Sequence, residues 1–274
     1  MIPIQDLLKF SIINIDKPSG PTSFQISEFV KKKLRISKTS HFGTLDPGVS
    51  GVLPVALGRA CRLSDYFMHK DKFYVGIMRL HANISDKTLR DEMEKFKGKI
   101  KQLPPVRSRV KREERIREIK KFDIIERDEK DVLFISEVQA GTYIRKLISD
   151  LGEKIGGAHM LELRRTRASI FSEEKSVNLY DFEKAVEEYE VGNEKKLRDI
   201  LIPAELCIPE VLPTIQIKEK SLKELLTGKP LMKSDIFEIP NEEVFAVFYK
   251  ERFVAIMKKS EEGDIIARAL FVLN

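Results

Sequence analysis

The apolar positions of this chain follow two rhythms, and the points where the rhythm changes mark its elements. SIINIDKPSGPTS opens on a short apolar run and breaks into Pro, Gly and Ser, which predicts a strand followed by a loop. Thr22 or Ser23 then stands where a helix cap belongs, and Phe24, Ile26, Phe29, Val30 and Leu34 recur at near-helical spacing. That spacing puts Lys31, Lys32 and Lys33 on or beside the outer face. A loop rich in Gly and Pro, HFGTLDPGVSG, runs into the apolar VLPVALG. In DKFYVGIMRLHA the period is two, with Phe73, Val75 and Ile77 on one face and Tyr74, Gly76 and Met78 on the other, which predicts a strand. DKTLRDEMEKFKGKI predicts a short helix. The Pro104–Pro105 pair excludes a helix interior, and REIKKFDIIERD and DVLFISEVQ alternate as a strand pair.

GTYIRKLISDLGEKIGG predicts a helix with Thr142 as N-cap and Gly156 or Gly157 as its stop. LRRTRASIFS returns as a strand, and the acidic VNLYDFEKAVEEYE is expected as a surface helix. After LIPAELCIPEVLP the pattern shortens into compact strands, LPTIQIK, EVFAVFYK, FVAIMKK and IIARALFVL, with one helix, SLKELLTG, among them. These suit a small barrel of about 65 residues, so a domain boundary is expected near residues 204–211. A chain of 274 residues is long enough for two such units.

Composition narrows the class. With 42% hydrophobic and 34% charged residues the chain has material for a sizeable core, which excludes an extended disordered polymer. No window approaches the ~18–20 consecutive apolar residues of a membrane span, and MIPIQDLLKF lacks the signature of a signal peptide, so a cytoplasmic location is expected. Cys61 and Cys207 are the only cysteines, and His41, His69, His81 and His159 stand singly, which excludes a disulfide scaffold and a structural zinc site. The net charge is +6, but residues 95–121 hold 12 Lys and Arg against three acids, while 173–210 hold five against eleven. The basic stretch is an electrostatic footprint for a phosphate backbone. A solvated, salt-bridged surface is the competing reading, which Glu113, Glu114 and Glu118 allow.

HFGTLDPGVSGVLPV is the most unusual stretch. Pro47 pushes Asp46 out of the helical region, while Gly43, Gly48 and Gly51 allow close backbone approach. A carboxylate is thus presented on a stiff loop, although an ordinary turn with Asp46 bonding its own backbone would use the same residues.

Longer stretches carry a resemblance. KPSGPTS, HFGTLDPGVSGVLPVALGRACR, KFYVGIMRLH, GTYIRKLISDLGEKIGGAHMLELRR and a C-terminal barrel occur in the order found in TruB-type pseudouridine synthases, over nearly the whole chain. MRLH and QLPPVRSRVKREERIR resemble the archaeal and eukaryotic dyskerin branch, which works with H/ACA guide RNA. The resemblance implies an α+β fold: a mixed, mainly antiparallel sheet with flanking helices over residues 1–207, and a small PUA-like β-barrel over 208–274. The first ten residues or so are expected to pack on that barrel. One departure is LLTGKPLMKSDI, which supplies Gly228 but has Ser234–Asp235 where the family's barrel places Pro-Gly.

The same resemblance assigns residues. Asp46 is implied as the catalytic carboxylate, attacking either the base or the sugar carbon. Tyr74 occupies the place of the aromatic that stacks on the flipped uracil, where a core strand tyrosine is the alternative. Arg145 pairs with Asp46, since a guanidinium beside a carboxylate favours its charged form and aims it. Tyr143 is expected to contact the base or its proton at C5, and Leu163 to lie under the base, although a core leucine explains any leucine. His41 matches a histidine that fills the space left by the flipped base, and Lys17, counted with the substrate-binding residues, is expected to support the active-site loop by packing or polar contact more than to touch RNA. Lys111, Arg112 and Arg115 are expected to meet RNA. Neither metal nor coenzyme is implied, and no membrane. The implied partners are H/ACA guide RNA, an rRNA or tRNA substrate, small Nop-type and Gar-type accessory proteins and a kink-turn-binding ribosomal-type protein. A stand-alone enzyme for the T-loop uridine of tRNA is the first alternative, and an RNA-binding scaffold without turnover the second.

Overall fold

The computed structural model describes residues 2–104 and 111–274. The middle of the basic segment, with Arg107 and Arg109, and the second proline of the Pro104–Pro105 pair lie outside the described residues.

The period-two stretches pair as strands, and the longer helices bury one apolar side against the core they share. In chain order the elements are α1 (Ile4–Lys9), β1 (Ser11–Lys17), α2 (Ser23–Lys33), β2 (Thr39–His41), β3 (Ser50–Leu57), α3 (Ser64–Met68), β4 (Lys72–Leu80) and α4 (Asp86–Glu94). Then come β5 (Gly98–Gln102), β6 (Arg115–Asp128), β7 (Asp131–Val138), α5 (Ile144–Ile155), β8 (Ala158–Ala168), β9 (Phe171–Ser172) and β10 (Val177–Asn178). They are followed by α6 (Leu179–Glu190), α7 (Lys195–Ile200), β11 (Ile202–Pro203), α8 (Ala204–Cys207), β12 (Thr214–Gln216) and α9 (Leu222–Leu226). The chain closes with β13 (Leu231–Met232), β14 (Val244–Tyr249), β15 (Arg252–Glu262) and β16 (Ile265–Val272).

Among the described residues eleven strands form one mixed sheet, ordered β10-β1-β3-β8-β4-β7-β6-β5, with β11 on β1, β2 on β3 and β9 on β8. Most pairings are antiparallel, as an α+β fold requires. The parallel contact of β3 with β8 covers only Ser50↔Arg164 and Gly51↔Arg165. That short contact joins the two halves of the sheet beside the Asp46 loop. A second sheet, ordered β12-β14-β15-β16-β13, forms a half-barrel consistent with a PUA-like domain.

Three apolar clusters hold this together. The main one lies between the large sheet and helices α2, α5 and α6, with Ile13, Leu53, Phe134, Leu147 and Phe182 fully buried. A second sits at the junction of the sheets, where Phe10 of the amino-terminal segment stacks on Phe253 of β15 with ring centroids 5.5 Å apart. The third fills the half-barrel around Phe245, Val254 and Met257.

Several local expectations need correction. The α4 helix stops at Glu94, and GKI belongs to strand β5, because Gly98 takes a positive φ of 85° that ends one element and starts another. Helix α5 starts one residue later than expected: Tyr143 is its N-cap, and Thr142 Oγ1 instead donates to the Gln139 carbonyl at 2.7 Å. Phe24 is expected with the α2 core residues yet is 67% exposed, because Ser23, 1% exposed and bonded to the Leu45 backbone, takes the inward place in the first turn and Phe24 sits about 100° further round the helix. The Thr22 cap is present as a capping box with Gln25. In the half-barrel Asp235 is buried and accepts hydrogen bonds from Ser221 Oγ at 2.7 Å and Met232 N at 2.9 Å, so side-chain bonds fix the turn at Ser234–Asp235.

Candidate active site

Asp46 lies between β2 and β3 on a loop whose backbone is held from below. Ser23 Oγ accepts the Leu45 N–H at 2.8 Å and donates to the Leu45 carbonyl at 3.0 Å. Gly20 N–H donates to the Pro47 carbonyl at 2.8 Å. Lys17, fully buried, donates from Nζ to the carbonyls of Pro18 at 2.8 Å and Pro47 at 3.1 Å. Burial lowers the Lys17 pKa, while Asp46 acts to raise it and Arg165 to lower it further. With no accessible surface Lys17 cannot touch substrate in this fold; it braces the loop. The turn itself is closed by backbone, Val49 N–H to the Asp46 carbonyl at 3.0 Å. That leaves the Asp46 carboxylate, 66% exposed, pointing away from its support.

Arg145, the second residue of α5, reaches this carboxylate, with Nε 3.7 Å from Asp46 Oδ2. A Cβ on Gly48 would stand 3.2 Å from Arg145 Nη2, so the absence of a side chain there gives the guanidinium its berth. Both partners are exposed, Arg145 by 53%, which makes the pair weak as a source of stability. Its contribution is to hold a charge of known direction beside the carboxylate.

Tyr74 stands opposite Arg165 of β8 and Ser136 of β7, and Gly76 stands opposite Leu163. Cross-strand partners share a face, so Tyr74, Leu163 and Arg165 line the same side of the sheet. Leu163 is 7% exposed and belongs to the main core. Arg165 is almost wholly buried; its Nε donates to the Val52 carbonyl at 2.8 Å and its Nη2 to the Gly43 carbonyl at 3.0 Å. Burial lowers the Arg165 pKa and the Tyr74 side chain pulls it back up. Arg165 therefore ties Tyr74 to both ends of the loop that carries Asp46. His41 lies at the start of that loop with Nε2 3.2 Å from Thr44 Oγ1, and burial, aided by Arg165, pushes its pKa below the ordinary value. A third buried cation, Lys72, donates to the carbonyls of Phe67, Met68 and Lys70 at and just after the end of α3. Its pKa is lowered to about 8, chiefly by burial and then by Arg165.

The structure thus brings together Asp46 and Arg145 directly, Lys17 and His41 through the loop and Tyr74 through Arg165, and places Tyr143 as the N-cap of α5, two residues before Arg145. Lys111 and Arg112 are exposed and stand with Arg115 at the approach to β6; Lys111 pairs with Glu113, and Arg115 Nη2 lies 3.4 Å from the Lys111 carbonyl. Sequence reasoning passed over Arg165, whose LRRTR setting looks like surface charge, and Lys72. It also passed over Lys9, Lys38, Arg59 and Arg62, which line a cleft of about 620 Å³ against Thr227, Gly228 and Phe271 of the half-barrel. Among the described residues no group of three or more His, Cys, Asp or Glu could hold a metal ion, and no helix is long and apolar enough to cross a membrane.

Comparison with known proteins decides the family. A family model described as the N-terminal domain of TruB family pseudouridylate synthase matches residues 31–144, and one described as the tRNA pseudouridylate synthase B C-terminal domain matches residues 145–208. The chain is 41% identical over 235 residues to a protein of Methanothermobacter thermautotrophicus named probable tRNA pseudouridine synthase B, covering 85% of this chain and 72% of that one. The chain belongs to the TruB family of pseudouridine synthases. A Pyrococcus abyssi member with the same name is 40% identical over 274 residues, covering 98% of this chain and 79% of its own. Among solved structures, a chain of a Cbf5–Nop10–Gar1 complex matches 99% of this chain and 87% of its own length, with a TM-score of 0.89 and 36% identity. A chain of an H/ACA ribonucleoprotein bound to a substrate RNA containing 2′-deoxyuridine matches all of it and 88% of its own, with a TM-score of 0.88 and 35% identity. As a TruB-family enzyme the protein is a pseudouridine synthase, an isomerase that moves the bond between uracil and its sugar from nitrogen to carbon.

Proposed function

We propose that this pseudouridine synthase is the catalytic subunit of an H/ACA-type guide ribonucleoprotein acting on rRNA. The observation that carries this reading is the reach of the structural likeness, which extends through the half-barrel as well as the catalytic sheet. We take residues 1–207 as the catalytic part and 208–274 as an RNA-binding part. The basic cleft between them offers Lys9, Lys38, Arg59 and Arg62 to phosphate groups, and the segment around Lys111, Arg112 and Arg115 offers a second basic surface. Phosphate contacts of this kind position an RNA without choosing its sequence, which suits an enzyme whose target is chosen by base pairing. Its partners on this reading are guide RNA, small Nop-type and Gar-type proteins and a kink-turn-binding protein, in the cytoplasm.

In the catalytic part, a uridine flipped out of its stack would lie over Tyr74 and above Leu163. The exposed Asp46 carboxylate would attack base or sugar and the N1–C1′ bond would break; after the uracil turns, C5 would join C1′, the bond to Asp46 would break to restore the carboxylate, and N1 would take up a proton. The proton on C5 then leaves, with Tyr143 at the base edge. Arg145 keeps the carboxylate aimed throughout, and His41 fills the space the base vacates.

A stand-alone tRNA enzyme is the second reading, favoured by the names that the archaeal relatives carry. Incubating the purified chain with an unmodified tRNA transcript, and separately with a guide RNA, its target and the accessory proteins, tests the two. We expect modification only where a guide is present. Guide-independent modification of one T-loop uridine, with no guide binding, would establish the tRNA reading instead.

A further inference from the structure

Gln102 ends β5 and is 2% exposed, which is unusual for a side chain with four hydrogen-bonding sites. Its amide makes a two-way contact with a single residue. Nε2 donates to the Tyr143 carbonyl at 3.2 Å, and Oε1 accepts the Tyr143 N–H at 3.0 Å. The pattern copies the paired bonds of a strand ladder, made here by a side chain 41 positions away in sequence. Tyr143 is the N-cap of α5, and its own side chain makes no capping bond. The turn before it is fixed to the adjacent strand. Gln139 N–H donates to the Glu118 carbonyl at 2.8 Å, and Gln139 Oε1 accepts the Glu118 N–H at 3.2 Å. Arg117 packs against Gly141, whose positive φ and missing side chain let the turn lie flat on β6. The β5–β6 hairpin therefore grips residues 139–143 at two points, and Arg145 follows two residues on.

The geometry points to Gln102 as a positioning residue for catalysis. By fixing the Tyr143 backbone it sets the direction in which α5 leaves the turn, and with it the place of the Arg145 guanidinium relative to Asp46. This rests on the reading of Asp46 and Arg145 as the reacting pair; Gln102 touches neither. Both side chains of that pair are more than half exposed, so burial does little to hold them and the anchoring of α5 decides where they meet. A misplacement of about 1 Å in such a pair is enough to cost roughly a hundredfold in rate.

The test compares Gln102→Met, which keeps the length of the side chain and loses both hydrogen bonds, with Gln102→Glu, which keeps the acceptor for the Tyr143 N–H. Single-turnover rate, RNA affinity and melting temperature are measured for each in the assembled enzyme. We expect Gln102→Met to slow the reaction by about tenfold to a hundredfold, with RNA affinity within about threefold of wild type, and Gln102→Glu to recover part of the rate. In an Arg145→Lys background, where the aimed fork is already gone, Gln102→Met should cost less than about threefold. Wild-type rate in folded Gln102→Met, or a loss that multiplies in full on the Arg145→Lys background, would overturn the inference. If Gln102→Met fails to fold, Gln102→Glu is read by the same comparison. Asp46→Asn is assayed alongside: turnover by that variant overturns the reading of the pair, whereas its inactivity beside a normal Gln102→Met overturns only the role of Gln102.

Discussion

A Cβ placed on Gly51 would lie 2.2 Å from the carbonyl oxygen of Arg165. The two residues are cross-strand partners in the short parallel contact of β3 with β8, and Gly51 has a φ of 102° that side-chain-bearing residues rarely adopt. Strand β3 leaves the Asp46 loop at this point, so the approach sets how the loop sits on the half of the sheet that carries Tyr74.

Gly51→Ala should therefore cost about 3 kcal/mol or more of stability, from backbone strain and a clash with backbone that cannot move aside. Chemical denaturation of the two proteins gives the difference directly. A change below about 0.5 kcal/mol, the scale of an ordinary surface substitution, would mean that the strands separate at no cost.

Asp46→Asn should abolish pseudouridine formation while RNA affinity stays within about threefold, because the phosphate contacts lie elsewhere. Since the carboxylate is largely exposed and its turn is closed by backbone, the melting temperature should hardly change. Arg145→Lys keeps a charge and loses the planar fork, and a clear fall in single-turnover rate is expected. Mapping modified uridines in a target RNA reads both, and normal turnover by either variant removes that residue from the mechanism.

Tyr74 is read by two substitutions. Tyr74→Phe keeps the ring and loses the hydroxyl beside Arg165, so RNA binding and a folded pocket should survive. Tyr74→Ala loses the ring, and a stacking contribution of about 1–3 kcal/mol corresponds to roughly fivefold to more than a hundredfold in rate. Equal activity of Tyr74→Ala and wild type would show a tyrosine that serves packing alone.

How much of this could be seen beforehand depended on where each residue finds its partner. The Asp46 loop was legible because Pro47 restricts its own backbone and that of Asp46, while three glycines so close together mark a chain that takes positive φ or approaches another backbone closely, and the strand at Tyr74 because period two is a local signal. Arg165 was not, since an arginine among arginines looks solvated until the carbonyls of Gly43 and Val52 are seen around it. Gln102 partners a backbone 41 residues away, and no spacing rule reaches that far. Phe24 failed in the opposite sense: it is apolar and near the core positions in spacing, but the buried face of α2 runs through Ser23, Ile26, Ser27 and Val30, so a small polar residue takes the inward place and Phe24 turns outward.

Lys72 gives the last prediction, which concerns pH. The residue is 5% exposed, and burial with the neighbouring Arg165 lowers its pKa from 10.5 to about 8, against the opposing pull of Asp71. In the unfolded chain the group keeps its proton up to about 10.4. Between these values the unfolded state binds more protons than the folded one, so stability rises with pH across that window. Below pH 8 the group is charged in both states and the folded protein bears the full cost of burying it, ~3 kcal/mol by the size of the shift. A neutral amine can still donate two hydrogen bonds to the carbonyls at the end of α3, so that contact need not break on deprotonation. Lys72→Met removes the titration while keeping an unbranched apolar stem. The stability of wild type minus that of Lys72→Met should therefore climb by about 3 kcal/mol between pH 8 and 10.5 and stay level between pH 6 and 7.5. Denaturation curves across this range cancel the titration of the other lysines in the difference. A difference that stays flat, or falls as pH rises, would show that the three carbonyls hold the Lys72 proton more tightly than burial expels it.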